Sequence, residues 1–120
     1  MKTFDILSTF LTLTQKTYPA GKEDQLKKYL PKGIKKDKAG NYFIKIGTST
    51  TVFTCHLDTY GDEQESIAHH VAATGYVFTD GFTILGADDK AGMTIMLYMI
   101  HHNVPGLYYF FIKEESRWRW

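Results

Sequence analysis

The stretch from Thr51 to Ile112 constrains the fold most, because its pattern predicts a strand, a helix and a second strand. The first strand is predicted over 51–56, and we expect it to be central in the sheet. Leu107–Ile112 is almost wholly apolar, which is typical of a strand buried on both faces. Apolar residues at helical spacing predict a helix from about Asp89 to His102 between them. Such a crossover normally makes the two strands parallel, so the sequence predicts an α/β protein.

The rest of the chain supplies shorter elements to the same domain, which we assign to 1–120. Helical spacing predicts helices over 3–16 and 22–30, and alternation predicts a strand over 41–46. A hairpin is expected to turn at Thr79-Asp80-Gly81, since Asp-Gly tolerates positive φ, and to return along Phe82–Leu85. The predicted buried face of the 89–102 helix consists of Gly92, Ile95, Met96, Met99 and Ile100.

Composition argues against several classes of partner. The net charge is +1 over 120 residues, so the chain has no basic footprint for nucleic acid or for an anionic membrane. The single cysteine, Cys55, excludes an internal disulfide framework, suits a reducing compartment and is expected to be a small buried residue. The opening residues lack the apolar core of a signal peptide. We therefore expect a soluble, cytoplasmic protein without nucleic-acid or membrane partners.

Polar side chains follow the predicted strands where each strand ends. His56 and Asp58 follow the 51–56 strand, Glu114 and Glu115 follow the last strand, and Asp88 opens the connecting helix. Because the carboxyl ends of parallel strands meet at one edge of a sheet, these groups are expected to lie together. So many carboxylates would repel one another unless a cation lay between them, which favours a divalent metal.

An imidazole with carboxylates suits zinc, with cobalt or manganese as alternatives. An aspartate that bridges two such ions is typical of two-metal hydrolases. A further carboxylate must stay off the metals to take a proton from water. The adjacent Glu114 and Glu115 suit this division, since neighbouring side chains at a strand end point in different directions.

Each motif also has a structural interpretation. Asp88-Asp89 could cap the helix that follows, and Glu114-Glu115 could be a solvated strand end. His69-His70 and His101-His102 are interpreted as structural, although one of these pairs could supply a further metal ligand, and Lys90 is interpreted as a residue that stabilises local turns. Met93, Met96 and Met99 are interpreted as core residues.

Three stretches together resemble the co-catalytic zinc exopeptidases, most closely the peptidase T and tripeptidase branch. They are residues 54–59 (Thr-Cys-His-Leu-Asp-Thr), residues 85–92 (Leu-Gly-Ala-Asp-Asp-Lys-Ala-Gly) and Glu114-Glu115. The resemblance implies a three-layer α/β sandwich, in which a mixed sheet is flanked by helices. It also implies that this chain corresponds to the N-terminal part of the catalytic domain, and that short peptides are its substrates.

The resemblance also implies a role for each site residue. His56 would bind one metal, Glu115 would bind the other, and Asp88 would bridge both through a cis Asp88-Asp89 peptide. Asp58 would orient His56, and Glu114 would be the general base.

Some features of the family have no counterpart in this chain. Its two further metal ligands, a later acidic residue and a late histidine, are absent from the five residues after Glu115. Residues 116–120 also form an atypical tail. Two alternatives to an active exopeptidase therefore stay open: a truncated, non-catalytic peptidase fragment, and a half-site completed by another chain or a second copy.

Overall fold

The computed structural model describes residues 3–116 and, for Ser116, only the backbone, so residues 117–120 of the predicted atypical tail lie outside the described part. Within residues 3–116, two α-helices, two short 3₁₀ segments and six strands succeed one another. In order they are α1 (Ile6–Leu13), a 3₁₀ helix (Glu23–Tyr29), β1 (Lys35–Lys36), β2 (Tyr42–Ile46), β3 (Val52–His56), β4 (His69–Val71), β5 (Val77–Thr79), α2 (Ala87–His101), β6 (Gly106–Phe111) and a 3₁₀ turn (Glu114–Ser116).

The main sheet is mixed and is flanked by helices, as predicted. Its strand order is β1-β2-β6-β3, with β3 parallel to β6 and the other two pairs antiparallel. The register places His56 opposite Phe111, so the ends of the two parallel strands coincide. This confirms the predicted strand–helix–strand unit and brings the polar residues beyond both strands to one edge.

The predicted central position of β3 is wrong for the described residues. β6 lies between β2 and β3, and β3 forms the edge of the four-stranded sheet. Val52 on this edge is 53% exposed. An alternating apolar run shows that a strand buries side chains, but it does not show how many neighbours that strand has.

The core lies on one face of the sheet, between the strands and α2. Its fully buried aromatic residues on the strands are Tyr42, Tyr108 and Phe110. Burial along β6 alternates, and Phe111 is 38% exposed, so the prediction that β6 is buried on both faces is wrong. The other face is also rich in aromatic residues, and these pack on one another, since Tyr109 stacks on both Phe43 and Phe111.

Helix α2 buries a stripe that differs in part from the predicted one. Met93, Met96, Leu97 and Ile100 are buried at the i, i+3, i+4, i+7 spacing that defines one helix face. Ile95 lies off this stripe and is 56% exposed, so its predicted burial is wrong. Met93 and Met96 are core residues, as expected.

The predicted hairpin with a turn at 79–81 and a return strand along Phe82–Leu85 is wrong, and β5 instead forms a hairpin with the preceding strand, β4. β4 pairs with β5, and the N–H of Ala72 donates to the Tyr76 carbonyl at 2.8 Å to close the turn between them. The Asp80 carboxylate instead accepts from the N–H groups of Phe82 (2.9 Å) and Thr83 (3.2 Å). Since that side chain takes the local backbone donors, residues 82–85 form no strand.

The N-terminal helices are shorter or tighter than predicted. α1 begins after Asp5, whose carboxylate accepts from the N–H of Ser8 at 2.8 Å, and it ends before Thr14, whose hydroxyl donates back to the Phe10 carbonyl at 2.8 Å. The predicted 22–30 helix is a 3₁₀ helix. Within the described residues, no helix has the length and apolar character needed to cross a membrane.

Candidate metal centre

The candidate site is centred on His56, the last residue of β3, whose side chain is 11% exposed. Its Nδ1 atom lies 2.9 Å from the Asp58 carbonyl oxygen and 3.4 Å from Asp58 Oδ1. Both of these oxygens can only accept, so Nδ1 carries the ring proton. In the neutral ring, Nε2 is then the atom with a free lone pair, which is the form of histidine that binds a metal.

Three carboxylates from two other elements approach Nε2 of His56. Asp88 Oδ1 lies 2.9 Å away, Glu115 Oε2 3.7 Å and Glu114 Oε1 3.8 Å. One ligand atom from each of His56, Glu114 and Glu115 lies within 4.8 Å of the other two. An imidazole nitrogen surrounded by carboxylate oxygens is a donor set that zinc accepts, so the residues present fit a divalent metal.

The two adjacent aspartates at the start of α2 have different partners. The Asp88-Asp89 peptide is cis, as the family resemblance implied, and neither residue has helical backbone angles. Asp89 turns back and caps the helix, since its Oδ1 accepts from the N–H of Gly92 at 3.1 Å. Asp88 has a side chain that is 85% exposed and faces His56. The capping interpretation therefore applies to Asp89, and Asp88 is the residue at the site.

The backbone of the segment that carries the glutamate pair is held by hydrogen bonds to side chains. Beyond β6, the N–H of Ile112 donates to Asn41 Oδ1 at 2.9 Å and that of Lys113 donates to Glu23 Oε2 at 2.6 Å. The N–H groups of Glu114 and Glu115 donate to the two oxygens of the Asp58 carboxylate, at 3.0 Å and 2.7 Å. Four consecutive backbone donors are thus satisfied without a ladder partner, which fixes the two glutamates beside His56.

Asp58 is fully buried and serves both halves of the site. Burial opposes its charge, but hydrogen bonds from His56 and from the N–H groups of Glu115 and Glu114 hold the pKa of Asp58 below its usual range. The Asp58 carboxylate therefore stays charged and fixes both the imidazole and the glutamate pair.

The site carries excess negative charge. The hydrogen bond with Asp58, followed by that with Asp88, raises the pKa of His56 to about 9 against the effect of burial. Burial and the neighbouring Glu114 raise the pKa of Glu115. Without a metal, the site thus attracts protons, and a divalent cation would displace them on binding.

Lys90 holds the His56–Thr59 loop against α2. It is 1% exposed, and its Nζ donates to the Leu57 carbonyl at 2.6 Å and to Thr59 Oγ1 at 3.4 Å. Burial lowers the pKa of Lys90 to about 8, although the charges of nearby carboxylates such as Asp58 favour its ammonium form. The expectation that Lys90 stabilises local turns fits these contacts.

The structure brings all five predicted site residues together: His56, Asp58, Asp88, Glu114 and Glu115. The other histidine pairs have different contacts. His69 Nε2 lies 2.8 Å from Thr14 Oγ1, His70 stacks on Phe78, and His101 and His102 follow one another at the end of α2.

Two supporting residues were missed in the sequence, Glu23 and Asn41. Asn41 follows Gly40 at the start of a strand, which is a recognisable local signal. Glu23 gives no local signal, because its hydrogen-bond partner lies 90 positions further along the chain.

Comparison with known proteins relates this fold to peptidases. A tripeptidase from Staphylococcus aureus subsp. aureus Mu50 matches with a TM-score of 0.73 and 30% identity, covering 92% of this chain. The aminopeptidase PepT from Bacillus cereus ATCC 10987 matches with a TM-score of 0.69 and 26% identity, also over 92% of this chain. The chain spans 36% of each of these two structures. The fold is therefore peptidase-like, and the chain spans about a third of the peptidases it matches.

A curated relative that matches is an uncharacterized protein, YqjE, from Bacillus subtilis (strain 168). It is 49% identical over 51 residues, which is 41% of this chain and 13% of that protein. No protein-family model matches the chain. The relation to peptidases therefore depends on the fold.

Proposed function

We propose that the chain is a metal-dependent exopeptidase, of aminopeptidase or tripeptidase type, that hydrolyses short peptides through a two-zinc site. The observation that carries this proposal is the approach of three carboxylates to Nε2 of His56, at 2.9–3.8 Å. The similarity of the fold to a tripeptidase and to an aminopeptidase supports the same reaction class.

The roles follow from the contacts of each residue. His56 would bind one ion through Nε2, and Glu115 would bind the other, with cobalt or manganese as alternatives to zinc. Asp88 has an exposed carboxylate beside His56, which suits a ligand shared by both ions. Asp58 keeps the proton on Nδ1 of His56 and so keeps Nε2 free for the metal.

When bound, the metals would lower the pKa of a water molecule and polarise the scissile carbonyl. Glu114 would accept the proton of that water at Oε1 and deliver it to the amine that leaves. Its side chain is 55% exposed, so it can reach both water and a peptide, while its backbone N–H is fixed by Asp58. Of the two glutamates, Glu114 is therefore assigned as the general base and Glu115 as the ligand.

The test compares Glu114→Gln with Glu65→Gln, the same change at a carboxylate that is 79% exposed and lies 4.0 Å from the ammonium group of Lys16. Tripeptide hydrolysis and bound zinc are measured on each protein. We expect Glu114→Gln to lower hydrolysis by about 10²–10⁴-fold, as for the loss of a general base, while zinc stays bound. Unchanged hydrolysis in Glu114→Gln would rule out this base.

The half-site alternative is favoured by one observation, the unpaired edge of β3 within the described sheet. A second copy or another chain would then complete the centre, and the zinc-loaded protein would elute as an oligomer on gel filtration. A zinc-loaded monomer that hydrolyses tripeptides would exclude this alternative. A folded chain that binds zinc but hydrolyses no tripeptide, alone or as an oligomer, would instead support the non-catalytic fragment.

A further inference from the structure

We propose that Glu23 is a positioning residue for the Glu114–Glu115 pair, acting through the backbone N–H of Lys113. The effect of this contact on zinc binding rests on the proposed metal centre. Its structural part, the hydrogen bond between Glu23 and Lys113, can be tested in the metal-free protein.

Glu23 is a buried carboxylate with both oxygens engaged. It opens the 3₁₀ helix and is 3% exposed. Oε1 accepts from the N–H of Gly21 at 2.7 Å, and Oε2 accepts from the N–H of Lys113 at 2.6 Å. One contact is local to the 3₁₀ helix, and the other crosses to the segment beyond β6.

The second contact lies at the point where the chain must change direction. Lys113 has a φ of +57°, in the left-handed region, and it separates β6 from the 3₁₀ turn that begins at Glu114. A non-glycine residue in this conformation needs support from its surroundings. Glu23 supplies a charge-assisted hydrogen bond there, immediately before the two glutamates that face His56.

Two carboxylates therefore hold the segment of residues 113–115 in place. Glu23 fixes Lys113, and Asp58 fixes Glu114 and Glu115, so three successive N–H groups donate to two buried anions. Asp58 also contacts His56, but none of the hydrogen bonds that the structure shows for Glu23 reaches a proposed metal ligand directly. Loss of Glu23 should therefore leave His56 in place and move the glutamates.

Glu23→Gln tests the role with little change in shape. Glutamine has one carbonyl oxygen, so one of the two N–H groups would face an NH₂ group instead of an acceptor. We expect faster amide hydrogen exchange at residues 113–115 and about tenfold weaker zinc binding, comparable to other losses of a supporting hydrogen bond around metal ligands. Glu23→Asp, which keeps the charge but is shorter by one methylene, should keep the Gly21 contact and lose the Lys113 contact, with the same two effects.

Leu26→Val is the matched control for general destabilisation. Leu26 is fully buried in the same 3₁₀ helix, and the change creates a small cavity without altering a hydrogen bond. This variant should unfold more easily yet keep wild-type zinc affinity and wild-type exchange at 113–115. Equal effects in Leu26→Val and Glu23→Gln would reduce Glu23 to a structural residue and overturn the proposal.

A measurement on the wild-type protein covers the case in which the Glu23 variants do not fold. The Lys113 amide proton should be protected from exchange and shifted strongly downfield, because its bond to a carboxylate is only 2.6 Å long. An unprotected Lys113 amide in the folded, metal-free protein would overturn the proposal. If the wild-type chain binds no zinc but protects this amide, the metal centre fails while the positioning contact stands.

Discussion

Replacement of Asp58 by asparagine tests whether the buried Asp58 carboxylate holds the candidate site together. The Asp58 carboxylate is fully buried and accepts the N–H groups of Glu114 and Glu115 at 3.0 Å and 2.7 Å. Asparagine offers only one oxygen, so one of these donors would lose its charged acceptor and face an NH₂ group. A hydrogen bond to a charged group contributes about 1.5–3 kcal/mol, and a buried donor without a partner costs about 1–3 kcal/mol. We therefore expect Asp58→Asn to lower the free energy of unfolding by about 2–4 kcal/mol.

The assay is urea unfolding of the metal-free protein, together with titration of His56 by NMR. Because the hydrogen bond with Asp58 is the largest cause of the raised His56 pKa, that pKa should fall from about 9 toward its ordinary value of about 6.5. Asp62→Asn, at an exposed position in the loop after β3, is the control and should change neither quantity. Unfolding within about 0.5 kcal/mol of wild type, the range of neutral surface changes, would refute the account of Asp58.

Two further predictions concern His56 and Gly92. Because the pKa of His56 is raised in the folded protein, His56 stabilises the fold fully below pH 6.5, and this stabilisation is lost as the pH rises to about 9. It is measured as the free energy of unfolding of the wild type minus that of His56→Asn. Its size should be about 2 kcal/mol once the exposed Asp88 is discounted for solvent screening, and unfolding at a series of pH values measures it. At Gly92 a Cβ would lie 2.4 Å from Asp89 Oδ1, so Gly92→Ala should lower the free energy of unfolding by about 1–3 kcal/mol and displace the cap.

Controls for these two predictions come from neighbouring positions. His70→Asn replaces a histidine that stacks on Phe78 and is the matched control for the loss of an imidazole. Ala91→Ser changes an exposed position beside Gly92 and should leave stability within about 0.5 kcal/mol. A His56 contribution that grows with pH, or a Gly92→Ala variant as stable as wild type, would contradict the respective prediction.

The convergence of the site was predictable because it follows from topology. His56 ends β3, Glu114 follows β6 and Asp88 lies in the first turn of α2, so a parallel pair with a helical crossover must gather them at one edge. The cis Asp88-Asp89 peptide was predictable only through the family resemblance, since no propensity favours it.

The parts that were not predictable depend on contacts distant in sequence. The hydrogen bond from the N–H of Lys113 to Glu23 joins residues 90 positions apart, so no local pattern of residues in the sequence predicts it. Ile95 was assigned to the wrong face of α2, because a short apolar stripe fits more than one helical phase. The Asp80-Gly81 pair lies in a bend in which the Asp80 side chain takes the following N–H groups, so residues 82–85 do not return as a strand and β5 pairs with β4.

The most direct test of the central claim is the number of zinc ions per chain, measured by elemental analysis of zinc-supplied protein after gel filtration. We predict about two zinc ions per wild-type chain, the number that a two-metal hydrolase holds, and a marked loss in His56→Asn. The His70→Asn control should retain the wild-type content. A folded wild-type chain without zinc would contradict the account, since His56, Asp88 and Glu115 would then lie together without forming a metal centre.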